Sequence, residues 1–150
     1  MKTELILVGK TNDKHFQAGI DDYCQRIGHY MPFSITVIPE LKNTKSLSFQ
    51  QQKEREGEMI LAKLQSSDHV VLLDEHGKDF RSVEFARWIE QKNASVRRLV
   101  FVIGGPYGFS EAVYSRANEK ISLSKMTFSH QMVRLVFVEQ IYRACTIIKG

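Results

Sequence analysis

The chain has 150 residues, 43% hydrophobic and 25% charged, with 21 Lys and Arg against 17 Asp and Glu for a formal net charge of +4. That composition fits one domain around one core. It excludes a spanning helix, since no apolar run nears the roughly 20 residues that a bilayer needs. The opening Met1-Lys2-Thr3-Glu4-Leu5 enters a strand pattern at once, without the marks of a signal peptide, so a cytoplasmic protein is expected. Mild basicity permits nucleic-acid binding, although charges that mix along the chain also suit a plain solvated surface.

Glu4–Gly9 predicts a buried strand. Phe16, Ile20, Tyr23, Cys24 and Ile27 recur at helical spacing and predict a helix over about residues 13–30. Phe33, Ile35 and Val37 alternate in a strand closed by Pro39, and residues 40–46 read as a loop. A polar helix follows, with Gly57 in its middle and Ile60, Leu61 and Leu64 near its end. His69–Leu73 predicts a third strand, ending at Asp74-Glu75-His76-Gly77. Ser82 is the expected cap of a helix carrying Phe85, Ala86, Trp88 and Ile89. Leu99–Ile103 is a fourth strand, Ser110 caps a short helix, Lys120–Ser124 is a short fifth strand, and Ser129 caps a last helix reaching about Ile148. Strands alternating with helices predict an α/β fold with a mostly parallel sheet, in one domain over residues 1–150.

The last helix carries Val133, Leu135, Val136, Phe137, Val138, Ile141, Tyr142, Ala144, Cys145, Ile147 and Ile148. A helix apolar nearly all round is covered on more than one side. The sheet and a second subunit are the expected covers, which predicts a homodimer, by default two-fold. Cys24 and Cys145 lie in apolar helical patterns and read as reduced, buried thiols. The five histidines include no His-x-x-x-His pair, and no metal site is expected. The first strand is not followed by Gly-x-Gly-x-x-Gly, and neither a P-loop nor a Gly-x-Ser-x-Gly elbow occurs, which removes the common dehydrogenase, NTPase and hydrolase readings.

Two strand-to-helix loops remain as candidates. Gly104-Gly105-Pro106-Tyr107-Gly108 follows the fourth strand, and Ser122 through Gln131 joins the fifth strand to the last helix. Ligands in open α/β sheets sit at the carboxyl ends of strands, where glycines let backbone approach them. A tight turn explains the glycines equally well, and Met126 and Phe128 could simply plug the sheet edge.

In combination and in order, several stretches resemble the RlmH family of the SPOUT methyltransferase superfamily. They are Glu4–Lys10, Lys53–Leu61, Leu72–Lys78, Phe101–Gly108, Ser122–Arg134 and Glu139–Ala144. The resemblance implies a homodimeric α/β fold whose last helix threads the preceding loop in a trefoil knot. It implies methyl transfer from S-adenosyl-L-methionine to N3 of a pseudouridine in large-subunit rRNA. The cofactor residues it implies are Leu73, Gly104, Gly105, Ser124, Lys125, Met126, Thr127, Phe128 and Ser129. Backbone groups of these loops would read the adenine edge, and Leu73, Met126 and Phe128 would cover the ring.

Two departures accompany it. The family commonly has proline where Ser129 stands, and its members usually extend past the glycine matching Gly150 into a short Pro-Tyr-His-containing tail. Of the catalytic candidates, His130 has the pKa range to orient N3 or take its proton, with a capping or packing role as its plain alternative. Arg134 and Arg143 would hold phosphates, although Glu139 stands four residues before Arg143, the favourable order for a simple helix pair. Lys10, Lys14, Arg26 and Lys53 would extend a basic face. An assembled ribosomal particle is the expected substrate, because a small domain needs shape to find one nucleotide. The same loops would serve an enzyme acting on transfer RNA, or an RNA-binding assembly protein that keeps the fold.

Overall fold

The computed structural model describes residues 1–150. Its elements in chain order are β1 (Lys2–Val8), α1 (Lys14–Gly28), β2 (Phe33–Ile38), a 3-10 turn (Thr44–Ser46), α2 (Phe49–Leu61), β3 (His69–Asp79), α3 (Ser82–Ser95), β4 (Arg98–Ile103), α4 (Glu111–Arg116), β5 (Glu119–Ser122) and α5 (Met132–Lys149). The strands form one sheet in the order β2-β1-β4-β3-β5, every neighbouring pair parallel.

Strand side chains alternate between faces, and both faces are covered. On one, Leu5, Leu7, Val71, Leu99, Phe101 and Ile103 pack with Ile20 and Ile27 of α1, Phe85, Trp88 and Ile89 of α3, and Phe137, Val138 and Ile141 of α5. On the other, Ile6, Val8, Ile38, Val70, Leu72, Val100 and Val102 pack with Ile60 of α2 and with Phe109 and Val113. The result is three layers, with α5 lying between α1 and α3.

That placement changes the account of the last helix. Its apolar excess meets the sheet on one side and α1 and α3 on its flanks, so neighbours within the chain cover much of what the sequence suggests a second subunit would cover. Gly19 shows how close α1 comes: a Cβ there would stand 2.8 Å from Leu135.

Three boundaries differ from the sequence reading. The stretch Asp74-Glu75-His76-Gly77 does not end β3. The strand bulges there and resumes pairing, Lys78 with Ile121 and Asp79 with Ser122. Gly77 makes the return possible, since a Cβ would lie 2.6 Å from the backbone of Ile121. Ser82 is the first residue of α3 rather than its cap; Arg81 precedes it, and its N–H donates to Glu84 Oε1 at 2.9 Å. Ser129 lies before α5 begins at Met132, yet its Oγ accepts the Met132 N–H at 3.1 Å, which is the capping role expected of it. Ser110 caps α4, accepting the Val113 N–H at 3.3 Å. Both cysteines are free, Cys145 buried and Cys24 only half-buried. Burial pushes both thiols up to about 11, leaving them unreactive near neutral pH. No helix is long and apolar enough to cross a membrane.

Candidate active site

The bulge of β3 and the carboxyl ends of β4 and β5 border a cavity of about 690 Å³. The bulge of β3 contributes Leu73, Asp74, Glu75 and His76. The loop after β4 contributes Gly104 through Phe109, and the loop after β5 contributes Ser122 through Phe128, with His130 and Val133 beyond them. A smaller hollow of about 380 Å³ shares Asp74, His76 and Tyr114 with it. The larger volume lies within the range of small-molecule sites, roughly 300–1,000 Å³.

The structure therefore brings Leu73, Gly104, Gly105, Ser124, Lys125, Met126, Thr127 and Phe128 around one cavity, and His130 joins them. Ser129 is not part of the lining; it faces solvent and holds the start of α5. Local hydrogen bonds shape the loop after β5. Ser122 Oγ donates to the Ser124 carbonyl at 3.1 Å, and Ser124 Oγ accepts the Met126 N–H at 3.0 Å. Met126 is left 78% exposed at the mouth.

The glycines after β4 have a different reason from the one the sequence suggests. A Cβ on Gly104 would stand 2.8 Å from the buried Phe109 ring, and one on Gly105 would stand 2.7 Å from Glu56 Oε1. Their bare α-carbons admit protein atoms, which leaves the loop backbone free to line the cavity. Glu56, on α2, is a site neighbour that motif reasoning passed over, although it lies within the Lys53–Leu61 stretch. Burial pushes its carboxyl above the usual range and Glu40 adds to this, while a hydrogen bond from the Gly105 backbone works the other way.

Asp74 is the opposite case. Burial favours its neutral form, but the Tyr114 hydroxyl, the His76 N–H at 2.8 Å and the charges of Lys120 and His76 together hold it below the usual carboxylate range. Burial, reinforced by Asp74, pushes Tyr114 up to about 12. The cavity lining thus combines ionised Asp74, Lys125, apolar Leu73 and Phe128, and backbone-rich loops. This donor set suits a ligand with both cationic and anionic groups and a flat ring, and S-adenosylmethionine fits that description.

Arg134 departs from its expected place. It is 1% exposed, and its guanidinium donates to the Val8 carbonyl at 2.7 Å and to Thr11 Oγ1 at 3.0 Å. Its Nε has no hydrogen-bond partner. An arginine held in this way cannot grip an RNA phosphate; it ties the end of β1 to α5. Beside that contact the Asn12 N–H donates to Gln131 Oε1 at 2.7 Å. The Arg134 guanidinium also stands 3.4 Å from His130 Nε2. Burial lowers the His130 pKa below its ordinary value, and the Arg134 charge lowers it further, against smaller opposing effects of Glu40 and the Val8 carbonyl. A neutral imidazole therefore lines the cavity near pH 7.

Arg143 is not brought to the cavity. It lies exposed on α5, paired with Glu139 Oε1 at 2.5 Å. At 1.5 Å rise per residue, about 16 Å of helix separates it from Met132.

A family described as predicted SPOUT methyltransferases matches residues 1–150. The chain is also similar over its whole length to curated proteins named ribosomal RNA large subunit methyltransferase H. The protein of that name from Bacteroides fragilis is 65% identical, over 100% of this chain and 96% of the relative. Its counterpart from Phocaeicola vulgatus is 64% identical, and that from Flavobacterium johnsoniae 55%, over the same shares.

Proposed function

The chain belongs to the SPOUT methyltransferase family, and on that premise we propose that it methylates large-subunit ribosomal RNA at N3 of a pseudouridine, with S-adenosylmethionine as donor. The observation that carries this reading is the cavity in which the bulge of β3 and the loops after β4 and β5 meet beside a neutral histidine, in a chain so similar to ribosomal RNA large subunit methyltransferase H proteins. The last helix threaded through the preceding loop, a homodimeric assembly and a cytoplasmic location go with the same reading.

When bound, S-adenosylmethionine supplies a methyl group on a sulfonium, and the hard chemistry is the cofactor's. The chain's own residues bind, orient and handle a proton. Leu73, Met126 and Phe128 cover the apolar ring, and the backbone of Gly104, Gly105 and the 124–128 loop reads polar edges. Asp74 favours cationic groups. His130, neutral and half-buried, accepts the N3 proton of the target base, a role in which a placed base contributes roughly 10²–10⁴-fold. Arg134 acts through His130, keeping a positive charge beside it. Arg143 and the lysines of the surface, Lys10, Lys14 and Lys53, supply phosphate contacts away from the reacting atom, and each such contact steepens the loss of RNA affinity with salt.

Calorimetry with S-adenosylmethionine and methyl incorporation into large ribosomal subunits, naked rRNA and transfer RNA test the proposal. Saturable binding with labelling of the subunit above the other two is the expected result. Binding with labelling of transfer RNA alone would move the activity to another RNA. Absence of both binding and labelling would leave an RNA-binding protein on this fold.

A further inference from the structure

Two aromatic rings from separate elements meet in the open beside the cavity mouth. Phe49 opens α2 and Tyr107 stands in the glycine loop after β4; their rings stack with centroids 4.1 Å apart and planes 18° from parallel. Phe49 is 63% exposed and Tyr107 42%. Neither ring is loose. Ser48 Oγ accepts the Gln51 N–H at 3.1 Å and Gln51 Oε1 accepts the Ser48 N–H at 2.8 Å, so the first turn of α2 is fixed from both directions. On the other side the Gly108 N–H donates to the Gly105 carbonyl at 3.2 Å and closes the turn that carries Tyr107.

An exposed stack held by two rigid supports has outer π faces left over. Tyr107 itself lines the cavity, as does the exposed Met126. The segment leading to Phe49, residues 40–48, holds Lys42 and Lys45 against Glu40; α2 goes on with Lys53 and Arg55 next to Glu54 and Glu56, and Lys125 lines the same cavity as Tyr107. Flat aromatic faces beside lysines are the chemistry that takes up unpaired nucleobases, since every base has a face to stack and a phosphate to neutralise.

We propose that the Phe49–Tyr107 stack is a docking platform for an unpaired base of the RNA substrate, a loop neighbour of the nucleotide that enters the cavity. This inference rests on the methyltransferase reading of the cavity and adds the element that presents the RNA loop to it. The target must leave its stack to reach a donor at the floor. A base captured on the rim holds the loop open while it does so.

The test uses the full chain with two readouts. One is methylation of large ribosomal subunits. The other is binding of a hairpin oligoribonucleotide bearing 2-aminopurine in its loop, whose emission falls when that base stacks. Phe49→Ala should weaken hairpin binding and lower kcat/KM by roughly 5- to 150-fold, the range for loss of one stacked base. Affinity for S-adenosylmethionine should stay at the parent value, because Phe49 does not line the cavity. Phe49→Trp should restore both RNA readouts, which a merely structural role would not require. Parental methylation and quenching by Phe49→Ala would overturn the platform. So would a change of oligomeric state in that variant, which would assign the rings to a contact between copies of the chain. A parent protein that binds the cofactor and methylates no RNA would sink the functional reading instead, and the 2-aminopurine signal would still report on the platform.

Discussion

The guanidinium of Arg134 donates to the carbonyl of Val8 at 2.7 Å, joining residues 126 positions apart in the chain. The bond lies inside the protein, at the end of the first strand and the start of the last helix, and the same side chain reaches Thr11. His130 stands beside this junction, 3.4 Å from the guanidinium. Removing the arginine takes its charged donor from a buried carbonyl and from Thr11, a loss of about 1–3 kcal/mol. Arg134→Met should therefore lower stability by that amount in urea titrations. Arg134→Lys should fall between the two, since an ammonium lacks the fork needed to hold both partners. Parental stability in Arg134→Met would mean that the junction holds without it.

The two adjacent glycines after β4 should respond differently to alanine. At Gly104 the new methyl meets the ring of Phe109, which is buried and packed beneath the sheet. At Gly105 it meets the end of the Glu56 side chain, which can swing away. Overpacking against a fixed ring costs about 1–3 kcal/mol. Gly104→Ala should thus lose stability and cofactor affinity together. Gly105→Ala should lose less of both, and pairing it with Glu56→Ala should restore most of the difference. Thermal melts and calorimetry on the three variants decide this; an equal loss at both glycines would contradict the geometry.

Strand and helix identities were legible because each buried strand reads as an apolar run and each helix as a 3.6-residue recurrence. The 74–77 bulge was not, because the signal of a strand that leaves the sheet and returns is the same as that of a loop; only the backbone approach of Gly77 to Ile121 separates them. The loops after β4 and β5 that border the cavity were legible through position and composition, while their assignment to a cofactor came from the resemblance. The role of Arg134 was hidden, since an arginine near a histidine on a helix reads as surface charge until the fold buries it. Glu56 was hidden for the converse reason: nothing in the sequence says which carboxylate of a charged helix will face a glycine across the domain.

Oligomeric state is open to direct measurement. With α1 and α3 flanking α5, the apolar count of the last helix no longer demands a partner by itself. Half-buried Tyr23 and Tyr142 with exposed Tyr30 still form an aromatic cluster beside Arg26 at the α1–α5 surface. A homodimer should appear in sedimentation at micromolar concentration, and Tyr30→Asp should dissociate it by placing a charge in that cluster. A monomeric parent would remove the dimer from the functional reading and leave the cavity unchanged.

The histidine at the cavity makes a prediction with a definite sign. Burial and the Arg134 charge hold its native pKa below the ordinary value near 6.5, so between those two values the unfolded chain binds more protons than the folded one. The stability that goes with a neutral His130 is complete above about pH 6.5 and is lost as the pH falls from there through the native pKa. His130→Asn should flatten this part of the pH–stability curve. The same variant should cut methylation by roughly 10²–10⁴-fold at neutral pH if the imidazole takes the N3 proton. Arg134→Met removes the neighbouring charge. In a preparation shown to be folded, it should therefore move the acid limb of the rate profile upward, toward the ordinary histidine value. Fold and rate can be separated, because stability is read by urea titration at each pH and rate by methyl incorporation under conditions where both proteins are native. An acid limb that stays in place in Arg134→Met, or a His130→Asn protein that methylates at the parental rate, would take the proton away from His130 and assign it to another group at the cavity wall.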